Sequence, residues 1–194
     1  MRMEDQWIIA KYNQEWSSQF IEIGTRLRNA LQQTALRIDH VGSTSIPGLD
    51  AKPILDIQIS IGNLGDTAKY VTPIEEAGFV FRSENADLTK RYFRERPGHV
   101  RMHLHVRQAG SFAEQMTLLF RDYLRQHPED CVRYAEEKHR LMQLYKHERS
   151  KYVEGKGPVV WEILQRAHLW SQATGWKPGE SDIGERPPVF RPGD

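Results

Sequence analysis

The chain has 194 residues, a length that suits one domain, or one domain with a small appendage, and that buries a core without covalent staples. With 27 Lys and Arg against 26 Asp and Glu, the near-zero net charge argues against non-specific coating of nucleic acid. The single cysteine, Cys131, excludes an internal disulfide framework and a cysteine-based zinc ribbon, and no run approaches the ~18–20 apolar residues of a membrane span. In chain order, residues 7–12 predict a short strand, and Asn13 is suited to cap the helix after it. Trp16, Phe20, Ile23, Leu27 and Leu31 recur at helical spacing as one apolar stripe. Residues 36–41 alternate and predict a strand, 42–49 form a small-residue loop, and 54–61 read as a central, β-branched strand. A helix ends near Gly78, starting either at the cap-like Thr72-Pro73 or at Asp66 with a bend at Pro73. Residues 79–81, 91–95 and 101–107 are further strands.

The second half is helical. Phe112, Met116, Leu119, Phe120, Tyr123 and Leu124 make a stripe, and His127-Pro128-Glu129 closes that helix and opens the next, which runs to about Lys146. Gly155, Gly157 and Pro158 interrupt, and Val160, Ile163, Leu164 and Ala167 start a last helix. Strands followed by a helical block give an α+β class. We take 1–173 as the domain. The tail, 174–194, holds four Gly and four Pro and reads by itself as a linker-like terminus, with a packed tail or a partner contact as the alternative.

The densest motif is His40-Val41-Gly42-Ser43-Thr44-Ser45-Ile46-Pro47-Gly48-Leu49, followed by Lys52-Pro53-Ile54-Leu55-Asp56-Ile57. With His103-Leu104-His105-Val106 and the run from Phe120 to Arg125, it resembles the GrpB family, a branch of the nucleotidyltransferase superfamily, over roughly 7–167. The resemblance implies a nucleotidyltransferase-like mixed β-sheet with a helical C-terminal block. It also implies a ligand that is a nucleotide or a phosphorylated small molecule, since some family members are fused to dephospho-CoA kinase. In the superfamily a Gly-Ser turn holds a phosphate of the nucleotide, a role that falls here to Gly42, Ser43 and Thr44. The next strand carries two carboxylates two residues apart, which hold a divalent metal, usually magnesium. The first is Asp56; the second position is Gln58, a neutral amide, and the neighbouring strand offers His103 and His105 where a third acid is expected.

Two readings follow from that departure. Asp56, His103 and His105, with His40 as an added candidate, would hold a transition metal, because histidines at i, i+2 share one strand face. Alternatively the imidazoles serve as donors to a phosphate or in proton transfer. Lys52 beside the turn, Arg94 with Tyr92, and Arg121 on the first late helix are candidate phosphate contacts, and Lys138, Arg149, Tyr152 and Lys156 extend the positive set. Residues 91–152 hold 13 Lys and Arg against 8 Asp and Glu, plus six of the eight histidines, so the balanced total conceals a positive wall suited to a small phosphorylated ligand.

The expected function is nucleotide binding with divalent-metal nucleotidyl transfer; the competing one is a non-catalytic nucleotide- or CoA-related module, or scaffold, with a degenerate acidic site. A homo-oligomer held by the tail is a third expectation. A polar N-terminus and the lone cysteine predict a cytoplasmic chain without a membrane contact.

Overall fold

β-branched, alternating segments pair into one sheet of five strands: β1 Ala35–Val41, β2 Leu55–Ile61, β3 Phe79–Phe81, β4 Arg91–Glu95 and β5 Met102–Gln108. A computed structural model of the chain describes residues 8–184. The strand order is β1-β2-β5-β4-β3, and only the central β2–β5 pair is parallel. A parallel pair needs a crossover, which here carries β3, β4 and the short helix α2, Val71–Glu76.

One face of the sheet is apolar. Ile38, Leu55, Ile57, Ile59, Leu104, Val106 and Phe93 pack there against Trp16, Phe20, Ile23, Leu27 and Leu31 of α1, Glu15–Leu31, and against Ile74 of α2. The predicted stripe is therefore the buried face of α1. Leu27 is fully buried, and deleting a side chain of that kind costs about 2–5 kcal/mol. The opposite face is polar and partly covered by α3, Phe112–Gln126. Ser111 caps α3, and Glu114 turns inward to accept from Ser60 Oγ at 2.6 Å and from the Gly110 N–H at 2.9 Å. Helices α4 Pro128–Leu144, α5 Arg149–Gly155 and α6 Gly157–Thr174 complete the block. Its own core joins Tyr123, Leu124, Tyr134 and Ile163 to Ile46 and Leu49 of the β1–β2 connection. The α+β class, with a mixed sheet and a helical C-terminal block, is what the structure shows.

Three local expectations change. In place of a strand over 7–12, the described part makes one bridge, Ala10 with Ala51, and Trp7 lies outside the described residues. The helix before Gly78 is a 3₁₀ turn, Thr67–Lys69, followed by α2. Pro73 falls in the first turn of α2, where its missing N–H has no intrahelical partner to lose. Gly157-Pro158 opens α6 instead of merely interrupting it, since proline suits the first helical turn. Among the described residues no helix is long and apolar enough to cross a membrane.

The described part of the tail is packed. After α6 ends on Gly175 in the left-handed conformation, residues 179–183 return along β1, the sheet's edge strand. Ile38 donates its N–H to Ser181 Oγ at 2.8 Å, and its carbonyl accepts from the Ile183 N–H at 3.0 Å. Arg37 donates to the Gly179 carbonyl, and Ile183 packs over Gly24 of α1, where a Cβ would meet Ile183 Cγ1 at 2.7 Å. An edge strand's open hydrogen-bonding groups are thus covered by the same chain. Residues 185–194 lie outside the described residues.

Candidate functional site

The connection leaving β1 begins at Gly42, with φ +70° and ψ −174°, a region essentially reserved for glycine. A Cβ there would stand 2.6 Å from Asp56 Oδ2, so the residue's lack of a side chain also lets the turn lie on Asp56. Ser43–Ser45 then form one 3₁₀ turn, stapled by Ser45 Oγ donating to the Gly42 carbonyl at 2.6 Å.

Asp56, the second residue of β2, stands opposite His103 of β5, and Gln58 opposite His105. Opposed residues share a face, so the i, i+2 histidines and Asp56 converge as their spacing predicts. Asp56 Oδ1 lies 3.0 Å from His103 Nδ1 and 3.1 Å from His105 Nε2. Burial raises the Asp56 carboxyl, but the two imidazole hydrogen bonds and their charge outweigh it and hold the group below the usual carboxylate range. Burial lowers His105, and Asp56 partly offsets that. With Asp56 ionised, each ring presents an N–H to it. The outer ring nitrogens, His103 Nε2 and His105 Nδ1, are both buried without a hydrogen-bond partner. The side chains of Asp56, His103 and His105 keep 29%, 16% and 18% of their surface, so none of the three is fully enclosed.

One donor atom from each of the three lies within 4.8 Å of the others. Two imidazoles and one carboxylate suit a borderline transition ion; magnesium asks for oxygen ligands in a near-octahedral set. Gln58 does not add to the set. It is fully buried beneath α3 and donates from Nε2 to the Glu114 carbonyl at 3.3 Å. His40 does not join either. It sits on the apolar face, stacked on Phe20 with centroids 4.8 Å apart, and its Nε2 is 3.0 Å from Thr44 Oγ1. Burial, aided by Arg125, pushes its pKa down to about 4. Thr44 is spent in the same place, its hydroxyl donating to the Ile54 carbonyl at 3.3 Å. Neither is turned toward a ligand.

The helical block supplies a lysine wall. Lys138 of α4 is buried, donating to Ser43 Oγ at 3.2 Å and to the Asp50 carbonyl. Burial and the charge of Lys156 push its pKa down to about 7. Lys52 and Lys156 place their ammonium groups 4.0 and 5.1 Å from the ring of Tyr152. Burial lowers Lys156, and the Asp56 charge partly restores it. The ring of Tyr134, four residues before Lys138 on α4, lies 4.5 Å from the Lys138 ammonium. In the sequence, the one sign of Tyr134 is its i, i+4 spacing to Lys138. On the sheet side, Tyr92 stands opposite His105 and Arg94 opposite His103, so both share the face of Asp56. They also line a cavity of about 300 Å³ with Arg82, Glu84 and Asn85. Arg94 is paired with Glu95 at 3.0 Å.

Arg121, a candidate phosphate contact by sequence, is instead buried among carboxylates. It is 3% exposed and held by Asp122 at 2.7 Å, Asp182 at 3.0 Å and Asp39 at 3.5 Å. The structure thus gathers Gly42, Ser43, Asp56, His103, His105, Tyr92 and Arg94 with Lys52, Lys138 and Lys156, and leaves out His40, Thr44, Gln58 and Arg121.

A family model described as GrpB protein matches residues 6–166. UPF0157 protein PA4798 of Pseudomonas aeruginosa is 42% identical over 78% of this chain and 64% of its own length. UPF0157 protein YqkA of Bacillus subtilis is 31% identical over 84% of this chain and 48% of its own, so the chain spans between about half and two thirds of these relatives. A protein named dephospho-CoA kinase in Mycolicibacterium paratuberculosis is 32% identical over 84% of this chain and 46% of its length. Among solved structures, the conserved protein GrpB from Enterococcus faecalis superposes with a TM-score of 0.76 at 30% identity, covering 84% of this chain and 99% of its own.

Proposed function

The chain belongs to the GrpB family, and we propose that it binds the phosphates of a nucleotide on the Gly42–Ser43 turn, beside a divalent ion held by Asp56, His103 and His105. One observation carries this reading. A carboxylate and two imidazoles converge, with one donor atom of each within 4.8 Å of the others, where a glycine turn and three lysines meet. Lys52, Lys138 and Lys156 would balance phosphate charge, and Ser43 would orient it. The relative named dephospho-CoA kinase supports a nucleotide or coenzyme-A-type ligand. A bound divalent ion would supply Lewis acidity toward phosphate oxygens. The chain's own part is to keep Asp56 ionised and to hold two ring nitrogens able to ligate or to take a proton from an acceptor hydroxyl.

A second reading, binding without transfer, is favoured by Gln58, which is neutral and turned under α3. Calorimetric titration with a nucleoside triphosphate and Mn²⁺, wild type against Asp56→Asn, tests the site. Loss of metal-dependent binding by tenfold or more is expected, and unchanged binding refutes it. Mass spectrometry of the same mixtures then separates the readings, because a transferred nucleotidyl group sinks the second.

A further inference from the structure

Within the strap formed by residues 179–183, Asp182 reaches the end of β1 just before the Gly42–Ser43 turn. Asp182 Oδ2 accepts from the His40 N–H at 2.9 Å and from Arg121 Nη1 at 3.0 Å, and Arg125 Nη2 lies 4.0 Å away. Arg121 Nη1 also donates to the His40 carbonyl at 3.3 Å, and Arg125 Nε donates to the Ser45 carbonyl at 3.1 Å. One carboxylate therefore sits between two guanidiniums that grip the backbone on either side of Gly42 and Ser43. We propose that Asp182 is a positioning residue for the Gly42–Ser43 turn, acting through Arg121 and Arg125. The role of that turn as the phosphate cradle rests on the reading above.

The electrostatics explain why the carboxylate is needed. Arg121 and Arg125 stand one helical turn apart, and their like charges repel. Arg121 has Asp39 and Asp122 as further partners, whereas Arg125 depends on Asp182 as the nearest carboxylate paired with it among the described residues. Without the Asp182 charge, Arg125 is driven from its neighbour and releases the Ser45 carbonyl. The turn then keeps its glycine geometry at one end only. Asp182 lies beyond residues 6–166, the span of the family match.

Amide hydrogen exchange, without ligand, tests this in D182N and S181A. Ser181 binds the β1 edge through Ile38 but touches neither arginine. D182N is expected to exchange at least fivefold faster over 42–46 while 55–61 stays protected; S181A is expected to leave 42–46 unchanged, and D182E to restore protection. Wild-type exchange at 42–46 in D182N, or equal acceleration in S181A, overturns the proposal. Should D182N also expose 55–61, R125Q carries the test, because it cuts the Ser45 arm alone, and wild-type exchange there overturns it. Nucleoside triphosphate affinity should fall about fivefold in D182N. A loosened turn with unchanged affinity upholds the positioning role and refutes the phosphate reading of the turn.

Discussion

Replacing Gly42 with alanine puts the packing of the turn on Asp56 to a quantitative test. Two costs add. The native φ of +70° with ψ −174° lies in a region that costs about 1–3 kcal/mol for a residue with a Cβ. The new Cβ would also stand 2.6 Å from Asp56 Oδ2 and 2.9 Å from Asp56 Cβ, and overpacking of that kind costs about 1–3 kcal/mol. Together they come to about 2–6 kcal/mol, and at about 2–4 °C per kcal/mol for a chain of this size the thermal midpoint should fall by roughly 4–24 °C. The displaced Asp56 should also lose its joint contact with His103 and His105, so Zn²⁺ or Mn²⁺ affinity falls at least tenfold. Gly48→Ala is the control. Its φ is +78°, yet a Cβ there meets nothing within 4 Å, so it should show the backbone cost alone and leave metal affinity intact. The assay is circular-dichroism melting with metal titration of both variants. Equal melting losses and equal metal affinity in the two would refute the argument that the turn must lie on Asp56.

Acid destabilisation should trace partly to His40. Its folded pKa is about 4 against 6.5 unfolded, so between those values the unfolded chain binds the extra proton. Stability is full above about pH 6.5 and falls by about 3 kcal/mol as pH drops toward 4; His40→Asn should flatten that limb of a denaturant-melt series, and an unchanged slope counts against it. Gln58→Glu should not restore a second metal acid. The buried carboxylate would face the Glu114 carbonyl and destabilise by about 2–5 kcal/mol, so tighter Mg²⁺ binding with a retained melting point would contradict the structure. Inorganic phosphate or triphosphate affinity should weaken as pH rises through about 7, where Lys138 loses its charge, and Lys138→Met should abolish that dependence; a parallel pH curve in the variant speaks against it.

The strands around the site were legible because they obey period two. Of the expected strands, 79–81 and 91–95 match the observed ones, and 36–41, 54–61 and 101–107 differ by no more than one residue at either end. That same periodicity correctly put Asp56, His103 and His105 together, since their strands pair in register. His40 was misgrouped because alternation fixes faces within a strand, not between strands. Its pairing with Ile57, one residue past Asp56, turns it to the apolar side. Arg121 was misread because its partner Asp182 is 61 residues away, in a segment whose Gly and Pro content says nothing of packing. Thr44 looked like part of a phosphate loop, yet a 3₁₀ turn points successive residues in different directions, and its hydroxyl meets His40 instead of solvent. The burial of Lys138, which sets its pKa, comes from the packing of α4 on the turn and leaves no local trace in the sequence.

The metal centre proposed for Asp56, His103 and His105 beside the Gly42–Ser43 turn is open to a decisive test. The most direct measurement is an anomalous difference map from crystals grown with Mn²⁺ or Zn²⁺ and a non-hydrolysable nucleoside triphosphate. One peak is expected, ligated by Asp56 Oδ1 and by an imidazole nitrogen of each histidine, with phosphate density against Ser43 and Lys138. A metal peak elsewhere, or nucleotide density away from that turn with the three side chains still hydrogen-bonded to one another, would contradict it.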